Sequence, residues 1–289
     1  MIPKMHITAW SKHAPWAEQR QIEQDLIISR AIVELFSHPI LANEIRFRGG
    51  TALNKLHFPE PLRYSEDIDL VRTSKGPIKP VLDAVREVLE PWLGKPSFKQ
   101  SAVAPKLNFS IPSEDGGQLR LKIEINTRER EAYDGEVKQP YKIKNPWFSG
   151  ACQVVTFANE EMLATKLRAL LQRDKGRDMF DIAHGLSVME PARPHRIAKL
   201  LGYYLEQSGQ TISRAQAEQR MFMKLANRNL LSDMRPLIRA DQAHRFDKES
   251  MNESFTLVFD TLIKELTGNP WAKTAEMKET FCLEKMPEQ

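Results

Sequence analysis

The decisive stretch runs Arg46-Phe47-Arg48-Gly49-Gly50-Thr51-Ala52-Leu53-Asn54-Lys55 and resumes as Arg63-Tyr64-Ser65-Glu66-Asp67-Ile68-Asp69-Leu70-Val71. Side chains alternate between the two faces of a strand, so Asp67 and Asp69 share one face while Ile68 and Leu70 share the other, buried one. A pair of acids fixed in this way on a rigid element is a seat for divalent cations. Upstream, Gly49-Gly50-Thr51 lies between an apolar run (Ile45, Phe47) and a helical pattern (Ala52, Leu53, Leu56). Backbone amides turned outward at such a helix start make an anion site, and beside a metal seat the natural anion is a nucleoside triphosphate.

Moving outward, Ile45 to Arg48 is expected as a strand, Thr51 to Leu56 as the start of a helix closed by Pro59 and Pro61, and Asp67 onward as a second strand. Residues 16 to 37 carry apolar side chains at helical spacing, with Pro39 at the exit, and residues 78 to 94 repeat that pattern. Strand alternation returns at 106 to 111 and 119 to 126, around a Ser113 to Gly117 stretch with turn chemistry. In the later strand Arg120, Lys122, Glu124 and Asn126 share the polar face, which makes Glu124 a candidate third carboxylate if this strand lies beside Asp67 and Asp69 with polar faces matched. From residue 159 the pattern is helical: 160 to 173, 177 to 188, 195 to 207, 212 to 227 and 253 to 267, with the polar 228 to 250 read as a loop. The shift places a boundary near 155, giving an α/β half over 1–155 and a helical half over 156–289.

The 289 residues are 41% hydrophobic and 28% charged, the balance of a globular chain with a sizeable core. No apolar run reaches the roughly 18 residues of a membrane helix, and the N-terminus lacks the basic-then-apolar layout of a signal peptide, so a cytoplasmic protein without a membrane partner is expected. Cys152 and Cys282 are too few for a disulfide framework, and seven histidines scattered from His6 to His244 form no metal-binding pair. The formal charge is a mild +4. It concentrates in 211 to 240, where Arg214, Arg220, Lys224, Arg228, Arg235 and Arg239 face only Glu218 and Asp233. Such a run serves equally as a solvated helix face or as a phosphate-contacting surface.

Paired carboxylates can hold two divalent ions for an in-line phosphoryl displacement, one activating a hydroxyl and one neutralising the leaving pyrophosphate. Hard oxygen donors select Mg²⁺ or Mn²⁺ over zinc. Taken alone, Asp-x-Asp also fits a solvated strand end, and Gly-Gly-Thr, which has neither the Walker lysine nor the GxGxxG pattern, also fits a tight turn. Together they describe a phosphate cradle beside a metal seat. Lys166 and Asp181, on two later helices, read by themselves as a surface lysine and its ion-pair partner.

Three motifs in order, Arg48-Gly49-Gly50-Thr51-Ala52-Leu53-x-Lys55, Arg63-Tyr64-Ser65-Glu66-Asp67-Ile68-Asp69-Leu70 and Lys166 with Arg173, Lys175, Arg177, Asp178, Asp181 and Ile182, resemble the AbiEii/AbiGii nucleotidyltransferase toxins, including the MenT group. The likeness spans about residues 20 to 190. It implies a polymerase-β-like core with a mixed sheet (α/β, α+β) followed by a helical domain. By the same resemblance Asp67 and Asp69 are metal-binding and catalytic, Gly49, Gly50, Thr51 and Ser65 belong to the nucleotide site, and Lys166 and Asp181 are catalytic, Lys166 meeting the nucleotide. It further implies Mg²⁺-dependent transfer of NMP from NTP to RNA, foremost the 3′ acceptor end of tRNA, by the toxin of a toxin–antitoxin or phage-defence pair with a winged-helix-like antitoxin encoded nearby. Arg173, Lys175, Arg177, Arg214 and Arg220 are the candidate RNA contacts. Two alternatives stay open: a non-catalytic nucleotide- or RNA-binding regulator on the same fold, and a nucleotidyltransferase acting on a protein or small molecule.

Overall fold

The computed structural model describes residues 2–227, 230, 232–239, 241–242 and 246–283. The chain forms two compact units: Met1–Ala158 with Leu237–Ala240, and Asn159–Pro236 with Asp241–Gln289.

In the first unit α1 (Lys4–Trp10) precedes α2 (Gln19–Ser37). Glu18 and Gln21 form a capping box that starts α2 three residues later than the apolar periodicity alone suggests. After α3 (Leu41–Glu44) comes β1 (Ile45–Arg48), then a helical turn α4 (Gly49–Ala52) that continues as a wider π turn over Leu53–His57. Next are β2 (Asp67–Arg72), α5 (Lys79–Leu93), β3 (Ser97–Lys99), β4 (Lys106–Pro112) and β5 (Gln118–Asn126). They form a five-stranded sheet in the order β1-β2-β5-β4-β3, in which β2 and β5 run parallel and the other neighbours antiparallel. This is the mixed sheet of an α/β fold. Its apolar face carries Phe47, Ile68, Leu70, Leu107, Phe109, Leu121, Ile123 and Ile125, all buried, and α2 and α5 contact strands of this sheet and each other.

A hairpin of β6 (Val137–Lys144) and β7 (Ser149–Thr156) also packs on α2 and β1. Its sequence escaped the strand reading because the outer half of β6 is largely exposed and Pro140 interrupts it. At its end Thr156 donates to the Phe47 carbonyl at 2.9 Å. The late segment belongs to this unit too: Ile238 bridges to Arg63, Arg239 to Trp16, and the Tyr64 amide donates to the Leu237 carbonyl at 2.6 Å.

The second unit comprises α6 (Asn159–Gln172), α7 (Gly176–Val188), α8 (Pro194–Gln207), α9 (Arg214–Leu225), α10 (Lys248–Thr261) and α11 (Thr274–Thr280). Leu163, Leu167 and Leu170 of α6 are fully buried, and Phe222, Phe255 and Phe259 pack ring against ring. The helix expected over 253 to 267 instead begins at Lys248, because Asp247 and Ser250 cap it, and gives way to a 3-10 turn at Ile263–Glu265.

Candidate active site

The parallel β2–β5 pairing is what assembles the acids. Its register sets Asp67 beside Lys122 and Asp69 beside Glu124, so the polar faces of the two strands match. The condition under which Glu124 joins the pair is therefore met in the backbone. On the flanks Arg48 of β1 lies opposite Asp69, and Lys106 of β4 lies opposite Glu124. A row of charge thus crosses the sheet: Arg48, Asp69, Glu124, Lys106.

The side chains follow that row. Lys122 Nζ is 2.8 Å from Asp67 Oδ2 and 3.7 Å from Glu124 Oε2, while Lys106 Nζ is 2.8 Å from the same Glu124 oxygen. Arg48 binds Glu129 at 2.7 Å. Crowding by protein atoms raises the Asp69 pKa, and the Asp67 charge adds to it, while Arg48 and Lys122 oppose the rise. Among the described residues no three acids or imidazoles converge into a preformed metal nest. The donor set is nonetheless all hard oxygen on one half-buried face, which fits Mg²⁺ or Mn²⁺.

The glycine motif is fitted against this face. Gly49 has φ +83°, and a Cβ there would lie 2.5 Å from Asp69 Oδ2. Only glycine allows the chain to take that conformation and pass so close to the carboxylate. A Cβ on Gly50 would collide with the buried guanidinium of Arg63, whose Nη1 donates to the Tyr64 carbonyl at 3.0 Å. Thr51 is buried, and its hydroxyl reaches both Ser65 Oγ, at 2.8 Å, and the Asp67 carbonyl. Thr51 and Ser65 therefore tie the helical turn to the start of β2.

In the helical unit Lys166 is buried rather than exposed. Its ammonium lies 2.7 Å from Asp181 and 3.1 Å from Asp178, both fully buried. Arg173 closes on Asp178 with two hydrogen bonds, Nε at 2.7 Å and Nη2 at 2.8 Å. Burial alone would raise the Asp178 pKa, but Lys166 and Arg173 together hold it below the usual value. Of the basic residues named for RNA, Lys175 is exposed and Arg177 half-buried. Arg214 pairs with buried Glu218 at 2.8 Å, and Arg220 donates to the Leu171 carbonyl at 3.1 Å. Arg228 lies outside the described residues. The sequence reading passed over Lys122, Lys106, Arg48 and Arg63 as site neighbours. Lys122 had a signal, its place two residues before Glu124 on the same strand face.

The family model described as the nucleotidyl transferase AbiEii toxin of type IV toxin–antitoxin systems matches residues 30–250, and the chain belongs to that family of nucleotidyltransferases. Among solved structures it is similar to the MenT4 nucleotidyltransferase toxin of Mycobacterium tuberculosis H37Rv, at 17% identity and TM-score 0.63, covering 98% of this chain and 99% of that one. It also matches JHP933 of Helicobacter pylori, at 17% identity and TM-score 0.47 over 92% of this chain and 97% of that one. A nucleotidyltransferase-described structure from H. pylori aligns at 17% identity and TM-score 0.48 over 87% of this chain and 100% of that one. The MenT4 likeness, at this identity, bears on the fold alone. No curated protein sequence matches significantly. Among the described residues no helix is long and apolar enough to cross a membrane.

Proposed function

We propose that the protein is the Mg²⁺-dependent toxin of a toxin–antitoxin pair, transferring NMP from NTP to RNA and foremost to the 3′ acceptor end of tRNA. The observation that carries the reading is the register of β2 on β5, which sets Asp69 against Glu124 with Asp67 on the same face. Asp67 and Asp69 would hold the divalent ions, with Glu124 as the third donor. Such ions supply charge neutralisation and a more acidic attacking hydroxyl. The backbone at Gly49 to Thr51, fixed to β2 through Ser65, receives the β- and γ-phosphates. Lys166 neutralises triphosphate charge, its ammonium oriented by Asp181 and Asp178. Arg173, Lys175, Arg177, Arg214 and Arg220 contribute to RNA binding, and a winged-helix-like antitoxin restrains the toxin in the cytoplasm.

The test is transfer of label from α-phosphate-labelled NTP to total RNA, comparing wild type with Asp67→Ala. Labelling should fall on the order of a hundredfold or more, the scale of losing a principal charge-stabilising group. The melting temperature should stay within a few degrees, because the partly exposed Asp67–Lys122 pair contributes at most about 1 kcal/mol. Undiminished labelling overturns the assignment.

A further inference from the structure

We propose that Lys122 is a tethered counter-cation that holds the metal-binding face open and competes with divalent ions for Asp67 and Glu124. The inference rests on the metal-seat reading above and concerns a residue that reading leaves unused. Three observations lead to it.

The position of Lys122 is imposed by the backbone. Parallel pairing makes it the lateral neighbour of Asp67 and places it two residues before Glu124 on one strand face. Its ammonium reaches both acids, at 2.8 and 3.7 Å, and so lies between carboxylates from adjacent strands, the same two that would serve a divalent ion as donors.

The acids of this face have cationic partners within the chain. Asp67 and Glu124 are met by Lys122 and Lys106, while Arg48, opposite Asp69 in register, is itself paired with Glu129. Like charges this close repel one another, and the two lysines offset that repulsion at Asp67 and Glu124.

The contact is also easily exchanged. Lys122 is 32% exposed and Asp67 30% exposed in their side chains, so the pair is wet and the four-carbon stem can swing aside at little cost. Lys106 pairs with Glu124 at 2.8 Å, whereas Lys122 reaches both acids, so removing Lys122 is the sharper perturbation. With Asp67 and Glu124 holding a divalent ion, the Lys122 ammonium would be released from them and could meet an anionic substrate.

The experiment measures Mn²⁺ binding to the full chain by electron paramagnetic resonance, with no nucleotide present, for wild type, Lys122→Met, Lys122→Arg and Asp67→Asn. Melting curves confirm that each variant is folded. Lys122→Met should bind Mn²⁺ about three- to tenfold more tightly than wild type, the range open to losing one nearby half-exposed positive charge. Lys122→Arg, which keeps the charge, should stay close to wild type. Asp67→Asn should bind at least about tenfold more weakly. If Lys122→Met binds no more tightly than wild type while Asp67→Asn binds more weakly, the counter-cation role is overturned and the metal seat stands. Equal binding by wild type and Asp67→Asn overturns the seat itself, and the proposal with it. Absence of measurable binding in both wild type and Lys122→Met also overturns the proposal.

Discussion

Gly49 concentrates two demands on one residue. Its φ of +83° disfavours any side chain, and the Asp69 carboxylate occupies the space a Cβ would need. Gly49→Ala should therefore destabilise the first unit by about 1–3 kcal/mol, the cost of a side chain in the left-handed region added to a close approach. It should also push the Asp69 carboxylate out of line, so activity should fall further than stability. Thermal melts beside RNA-labelling rates check this; an alanine variant with wild-type melting and labelling would contradict it. Gly50 is subject to the second demand only, through Arg63. The sequence showed that glycines mattered here but not against what, because the side chains that crowd them, Arg63 at Gly50 and Asp69 at Gly49, come from further along the chain and are brought back only by the fold.

At the scale of elements, the acid face and the buried ion cluster differ in how far sequence could reach. Alternation in β2 and β5 is local, so the polar faces of Asp67, Asp69 and Glu124 could be read directly. Their alignment depends on a parallel pairing between strands about fifty residues apart, which no local pattern specifies. The α6–α7 pair misleads in the opposite direction. Lys166 follows an amphipathic pattern that suggests the surface, yet it is buried with Asp178 and Asp181 because α7 folds back on α6. Lys166→Met should cost about 3–5 kcal/mol, since it leaves two buried carboxylates with less compensation. Loss of stability well under 1 kcal/mol in a denaturant titration would contradict this account of the cluster. The cluster also fixes a pH dependence. The Asp178 pKa is lower in the folded chain than the ordinary aspartate value of about 3.9. Its contribution is thus fully present above that ordinary value and is lost as pH falls through the lower, folded one. Asp178→Asn should flatten the acid limb of the stability curve of the helical unit; an unchanged limb would argue against it.

For the whole molecule, the first unit is not contiguous in sequence. Leu237 to Arg239 returns to it and pairs with Tyr64 and Arg63, just before the strand that carries Asp67, and with Trp16, ahead of α2. The sequence suggested a single boundary near 155 and a polar loop over 228 to 250, since a three-residue bridge has too little periodicity to register. A fragment ending at residue 158 should consequently melt below the corresponding transition of the full chain, and a peptide carrying residues 234–242 should restore part of the difference when added in trans. No effect of the peptide would contradict a stabilising role for this return. The account as a whole stands on the chemistry performed at the β2–β5 face. The most direct measurement is incubation with total tRNA and each α-phosphate-labelled NTP in turn, with pyrophosphate release counted and the labelled end mapped. The account predicts Mg²⁺-dependent label at the tRNA 3′ end, with one pyrophosphate for each nucleotide added; label confined to protein or small molecules, or no transfer with any NTP, would contradict it.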